Sequence, residues 1–440
     1  MSLASALVAL GDGTLPESFD GIKSHFDIGW VESALARSGV ATMRRRKLPA
    51  EQVVWLVIGM ALYRDRPIDD IVRGLSLVMP DEAGHVRGVT KGAIPQARDR
   101  VGAEPLRALF GCTARSWALA SADGNRWRGL IVAGLDGTQL RVPDSPENRD
   151  AFGLANSARA GTCSYPRIQV VGLMALRSHL LLDFDFGAGK VSEGELAGPI
   201  IDRLPEDSLL IVDRGFAYHE TFRRIAKGRR HWLARARKST RWTTVRKLGK
   251  EDELVEVQTC HDRKPDVPPP YLARAVRYQR KGFRPQVLLT SLVDAKRYPA
   301  SEIVALYHER WEIELGYDEI KTDTLQQLES IRSRTPERVR QEVWGLAVAY
   351  NLVRREMEAV AGRMKVAPTR ISFRGALRRI REAFMWAAVA SPGAIPKLVQ
   401  RMRLELEELV LPERRTNRSY PRVVKIKMSN YDRKTEHTLN

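Results

Sequence analysis

The run Leu209-Leu210-Ile211-Val212 is continuously apolar, only four residues long, and closed by Asp213-Arg214-Gly215. A short apolar run bounded by a turn signal is the mark of a strand buried on both faces. Strands of that kind lie inside sheets covered by helices, which points to a layered α/β fold. A carboxylate at the end of such a strand, just before a turn, is also a common place for a ligand.

The segments around this strand give an order. Leu130–Val142, Ile168–Leu176 and Leu180–Phe186 are β-rich, and the short link Arg177-Ser178-His179 makes the last two a hairpin. Gly194–Leu204 reads as a helix, then comes the buried run, a helix over His219–Lys227 and a strand over His231–Arg235. Three strands, a helix, and a strand ending in Asp is the order of an RNase H-like mixed-sheet core.

At 440 residues the chain is too long for one ordinary domain. Its texture suggests a helical N-terminal DNA-binding domain over 1–125 and the first part of the core over 126–239. A β-rich insertion over 240–285 follows, in which charges alternate with Val and Leu and Pro268-Pro269-Pro270 breaks the pattern. Residues 286–411 carry the second part of the core and C-terminal helices, and 412–440 form a basic tail with strand-like alternation at Val423–Lys427. In the N-terminal part, Val53–Leu62 is a buried helical stripe behind Pro49. A helix over Ile68–Leu77 and a second carrying Lys91, Gln96, Arg98 and Arg100 fit a helix-turn-helix-like DNA reader. They fit a helical bundle with a solvated basic face equally well.

Lys and Arg exceed Asp and Glu by 19. That surplus argues for a polyanionic partner. The basic residues are spread over the whole length rather than gathered on one amphipathic helix, which disfavours a membrane surface. The apolar run Val53–Tyr63 is too short to span a bilayer, and no basic, apolar leader opens the chain. Cys112, Cys163 and Cys260 lie far apart, with neither zinc-site spacing nor a disulfide framework. We therefore expect a soluble protein of a reduced, intracellular compartment, without a membrane partner.

Chemistry is suggested by carboxylates in costly places. Asp136 lies in an apolar strand between Leu135 and Gly137, where a charge must be paired or bind metal. Asp213 ends the buried run. On a long helix starting near Ser301, with Ser301-Glu302 as its cap, Tyr307, Arg310, Glu314 and Lys321 fall within an arc of about 60° at about 100° per residue. Spacing alone favours an exposed face of i,i+4 ion pairs. Two strand carboxylates and one helix carboxylate on this strand order favour a metal site.

Taken together, Leu135-Asp136-Gly137-Thr138, Val212-Asp213-Arg214-Gly215-Phe216 and Tyr307-His308-Glu309-Arg310-Trp311-Glu312-Ile313-Glu314 resemble the DDE transposases of bacterial insertion sequences, specifically the IS-four-type group. That group carries a Tyr, Arg, Glu, Lys signature with gaps of two, three and six residues, which Tyr307, Arg310, Glu314 and Lys321 reproduce. Met43–Arg66 is similar to the group's helical N-terminal domain, and the insertion between Asp213 and Glu314 sits where the group has a β-rich one.

The resemblance implies roles. Asp136, Asp213 and Glu314 would hold two Mg²⁺ ions, with Mn²⁺ as a substitute, and catalyse strand cleavage and transfer. Arg310 and Lys321 would contact phosphates of the transposon end, and Tyr307 would position the backbone. The partners would be double-stranded DNA, as transposon ends and target, and a second copy in a homodimeric synaptic complex, in the bacterial cytoplasm at the nucleoid. One departure stands out. Some relatives stack a flipped base on a Trp two residues before a Leu-Leu-Thr strand, but here Gln286 precedes Leu288-Leu289-Thr290. Phe283 and Trp242 are the aromatic substitutes nearby.

Overall fold

The computed structural model describes residues 28–40, 47–78, 88–157, 161–259, 269–280, 284–326 and 330–413. The expectations for Pro268, Phe283 and the tail beyond 413 fall outside them. Ahead of the sheet lie helices α1 (Ile28–Arg37), α2 (Ala50–Leu62), α3 (Ile68–Gly74), α4 (Ala93–Val101) and α5 (Glu104–Asn125). Strand β1 (Ile131–Arg141), helix α6 (Pro146–Phe152), and strands β2 (Leu154–Ser157), β3 (Gly161–Ala175) and β4 (Leu181–Ala188) follow. Then come α7 (Glu193–Asp202), β5 (Ser208–Val212), α8 (His219–Ile225) and β6 (Arg230–Arg235).

These strands form the predicted mixed core. β1 pairs antiparallel with β3 and parallel with β5, β3 pairs antiparallel with β4, and β5 pairs parallel with β6. All five residues of β5 are buried, Ser208 together with the apolar run Leu209–Val212. The β3–β4 hairpin turns through His179, whose φ is +60°.

The β-rich insertion extends this sheet. β7 (Trp242–Gly249), β8 (Asp252–Val257) and β9 (Tyr271–Tyr278) join β10 (Gln286–Thr290), giving the order β2-β3-β1-β5-β6-β10-β9-β8-β7 with β4 on β3. Within the insertion, Arg274 Nε donates to Asp252 Oδ1 at 2.7 Å, and the same guanidinium ties the insertion to the core, where its Nη1 donates to the Tyr298 carbonyl at 2.6 Å.

After β10 come α9 (Ala300–Glu309), α10 (Trp311–Asp318), a π-helical segment (Glu319–Thr324), α11 (Pro336–Met364), α12 (Phe373–Ala387) and α13 (Ile395–Glu407). α2 is buried on every side except at Glu51, because a helix that is apolar all round must be enclosed. α11 closes over it so tightly that a Cβ on Gly345 would lie 2.5 Å from Val57 Cγ1 and 3.2 Å from its carbonyl oxygen. The N-terminal helices thus share one continuous apolar core with the sheet.

The expected single long helix is three pieces. Its start lies at Ala300 behind Pro299, and no side chain caps it; Glu302 instead accepts from Arg128 Nε (2.8 Å) and Trp127 Nε1 (2.9 Å). At Arg310 the bonds tighten to the i−3 type, Arg310 N to Tyr307 O and Ile313 N to Arg310 O, each 3.3 Å. The π turn then changes the angular step before Lys321, so the 100° rule does not carry through to that residue.

Candidate active site

The register of β1 and β5 sets the site. Leu135 lies opposite Val212 in the parallel ladder, so Asp136 and Asp213 follow directly on neighbouring strands. Asp136 Oδ1 accepts from the Gly137 amide at 2.8 Å. Burial pushes the Asp136 carboxyl up, the Gly137 amide and Arg310 oppose this, and the charges of Asp213 and Glu314 add to it; the result is about 6. Asp213 Oδ1 accepts from the amides of Gly215 (2.6 Å) and Phe216 (3.2 Å), which shapes the turn after β5.

Helix α10 brings the third carboxylate. The Tyr317 hydroxyl donates to the Asp136 carbonyl at 2.7 Å and pins the helix to β1 one turn after Glu314. Glu314 is half-buried and ion-paired with Arg310 at 2.8 Å. Tyr307, three residues before Arg310, is buried, and its phenol is raised by burial. Lys321 is half-exposed on the π turn. Among the described residues, no three acidic, His or Cys side chains stand close enough to share an ion as they are. Glu314 is drawn to Arg310, and one oxygen of Asp213 to its own amides.

The N-terminal candidates divide. Lys91, Gln96 and Arg100 are exposed on and beside α4. Arg98, expected on a basic face, is buried instead. Its guanidinium donates to Gln341 Oε1 (2.7 Å), Ser333 Oγ (3.1 Å) and the Arg338 carbonyl (3.0 Å), which fastens α4 to α11. An amphipathic helix shows which residues are basic but not which of them has a buried acceptor waiting.

Other residues at the site escaped the sequence reading. Tyr317 is one; its place three residues after Glu314 was a signal. Glu193, in the first turn of α7, lies against Gly137, where a Cβ would overlap its carboxylate. Beneath the π turn, Glu319 is held by buried Arg354 and His179. Burial acts to raise the Glu319 carboxyl, but the Arg354 charge and His179 outweigh it and hold it at about 2.

Comparison with known proteins gives the family. The family model for the transposase DDE domain matches residues 127–352, and that for the insertion element 4 transposase N-terminal region matches 16–111. The chain is 38% identical over 431 residues to the Escherichia coli K12 transposase InsG of insertion sequence element IS4, covering 96% of this chain and 93% of that protein. It belongs to the IS4-type DDE transposases. InsZ of the same strain is 35% identical over 243 residues, 54% of this chain and 79% of that protein. A structure of the piggyBac transposase synaptic complex with hairpin DNA covers 92% of this chain and 87% of its own, with a TM-score of 0.43 and 12% identity.

As a DDE transposase, the chain is an enzyme of a family that works with divalent metal. Beside the acidic site it presents a strongly cationic cleft of about 540 Å³. Arg214, Arg235, Arg237, Lys238, Arg241 and Arg284 line it, together with Trp242 and Gln286. Arg237 stacks on Tyr218, 3.7 Å from the ring centre, and donates to the Arg214 carbonyl. The strand carrying Gln286 and the strand carrying Trp242 are not neighbours in the sheet, yet both residues face this cleft.

Proposed function

We propose that this transposase binds the terminal inverted repeats of its own element and pairs two ends as a homodimer. It cuts each end to free a 3′-hydroxyl and joins that hydroxyl to target DNA. The observation that supports this best is the pairing of β1 with β5, which sets Asp136 beside Asp213, with Glu314 on the helix fastened across them.

The donors are all carboxylate oxygens, which suits Mg²⁺ and its substitute Mn²⁺ rather than a thiolate-loving metal. The upward shift of Asp136 is what a half-enclosed carboxylate shows when its neighbours are acids, and a divalent cation would reverse it. Asp136, Asp213 and Glu314 would hold two ions. Bound there, they would activate water or the 3′-hydroxyl and stabilise the leaving oxygen of an in-line displacement.

The chain's own cations do the rest. Arg310 offers a planar fork to a phosphate, and in taking one it leaves Glu314 free to ligate. Lys321 acts as a point charge, and Tyr307 places the backbone near the cut. The cleft at Arg214 and Arg237 continues the cationic track. No described helix is long and apolar enough to cross a membrane, and we place the enzyme in the bacterial cytoplasm at the nucleoid.

The test is cleavage of a labelled duplex carrying the element's own terminus, in Mg²⁺ and in EDTA. Metal-dependent nicking at the end, lost in Glu314→Gln, is the expected result. Specific binding without nicking in Mg²⁺ or Mn²⁺ would overturn the catalytic reading.

A further inference from the structure

We infer that Glu193 is a fourth carboxylate of the catalytic centre, supplying an oxygen ligand to a divalent ion that Asp213 also holds. This rests on the metal-dependent reading above and adds a residue to it.

Four observations carry the inference. First, Glu193 is pressed onto the residue that follows Asp136. A Cβ on Gly137 would overlap the Glu193 carboxylate and lie 2.8 Å from its Cγ. Second, the Asp213 charge is felt at Glu193: burial and then Asp213 raise its carboxyl, while the Gln169 amide lowers it. The side chain is therefore within electrostatic reach of Asp213. Third, its surroundings supply no counter-charge. Gln169 Nε2 donates to Glu193 Oε1 at 3.1 Å, and among the described residues no Lys or Arg is ion-paired with it. Fourth, it is open to solvent, on the wall of a cleft of about 610 Å³ that also includes Gly215 and Phe216 of the Asp213 turn.

The local sequence leaves Glu193 free for this task. Acids in a first helical turn are commonly there to cap the helix or meet its dipole. Here the cap is complete without it. Ser192 Oγ accepts from the Glu195 amide at 3.2 Å, as an N-cap does, and donates to Glu195 Oε1 at 2.9 Å. Glu193 points instead at the catalytic strand. A carboxylate set near that of Asp213 without a cation repels it, and that repulsion becomes attraction once a divalent ion arrives.

The experiment is Mn²⁺ binding to the full-length protein, followed by electron paramagnetic resonance, for wild type, Glu193→Gln and Asp213→Asn. The Gln keeps the shape and the acceptor for Gln169, so melting temperature serves as the control for folding. Glu193→Gln should weaken Mn²⁺ binding about 10- to 100-fold, the range seen when a metal's supporting groups are removed, with the melt unchanged. Wild-type Mn²⁺ affinity in Glu193→Gln, with affinity lost in Asp213→Asn, would overturn the role of Glu193 alone. Wild-type affinity in both would overturn the metal-site reading itself. A second measurement needs no variant. Fe²⁺ loaded in place of Mg²⁺, with ascorbate and peroxide, should cut the wild-type backbone near Glu193 as well as near Asp136 and Asp213. Cuts at the two strands without one at α7 would also overturn the proposal.

Discussion

Arg310 Nη1 stands 2.8 Å from Glu314 Oε1, so the cation we propose for phosphate is already paired with the carboxylate we propose for metal. The two functions compete in the absence of DNA. Replacing Arg310 by Ala should therefore act in opposite directions on two ligands. Mn²⁺ should bind the DNA-free protein more tightly, because Glu314 has lost its partner. Affinity for the transposon end should fall, and the slope of log K against log salt should drop by about one unit. Paramagnetic titration and salt-dependent filter binding read the two effects. A fall in both affinities would show that Arg310 supports the acidic site instead of competing with it.

Asp136 predicts a pH dependence with a definite sign. Its folded carboxyl titrates near 6, above the ordinary 3.8, so the folded state binds a proton in that window that the unfolded chain has released. The charged form is thus tolerated poorly, and stability without metal declines as pH rises from about 4 through 6. Asp136→Asn removes this penalty. In EDTA it should be more stable than wild type at pH 8, by at most about 3 kcal/mol, and about equal to it near pH 3.5. Thermal melts at the two pH values check this. In wild type, Mg²⁺ affinity should rise as pH passes 6, because ligation requires the carboxylate.

Much of this was legible in the sequence. The apolar run at 209–212 gave β5, its terminal Asp213 and the layered fold, because a strand buried on both faces has no other way to look. The β-rich run at 130–142 pointed to β1 and Asp136, and the short link at 177–179 pointed to the β3–β4 hairpin. What the sequence concealed depends on partners far along the chain. Lys321 seemed to continue a regular helix, but Glu319 is taken by Arg354, 35 residues on, and the helix widens into a π turn above that pair. Arg98 looked like a surface cation because nothing local reveals Gln341 and Ser333. Glu193 stood just ahead of the helix expected over 194–204, and nothing local shows that it lies against Gly137.

The cationic cleft yields a prediction about how ends are held. Trp242 is half-buried at the start of β7, lining the same wall as Gln286. An indole there offers a stacking face for an unpaired base, and the surrounding arginines hold its phosphates. Trp242→Ala should weaken binding of a transposon end bearing an unpaired terminal base by about 1–3 kcal/mol, and leave binding of the fully paired end nearly unchanged. Competition binding between the two duplexes measures the difference. Equal losses on both would place Trp242 in general backbone contact.

Arg354 predicts a stability effect that reaches the site through the helix. It is 1% exposed, donates to Glu319 and lies 2.6 Å from His179 Nδ1, and His179 Nε2 meets Glu312 Oε2 at 2.9 Å. Tyr350 also donates to Glu319, at 2.9 Å. Removing the guanidinium alone leaves an enclosed carboxylate without its cation, so Arg354→Ala should cost about 3–5 kcal/mol. Replacing both members, as Arg354→Met with Glu319→Met, removes the stranded charge along with the pair. That variant should recover most of the stability, since buried ion pairs are often no better than apolar residues of the same volume. Cleavage should not recover with it. The π turn that carries Lys321 is built over the Glu319–Arg354 contact, and an apolar pair gives the helix no reason to keep that geometry. Urea unfolding and end cleavage, measured on the single and double variants, separate the two. A double variant that regained full cleavage would show that the ion pair serves only the core.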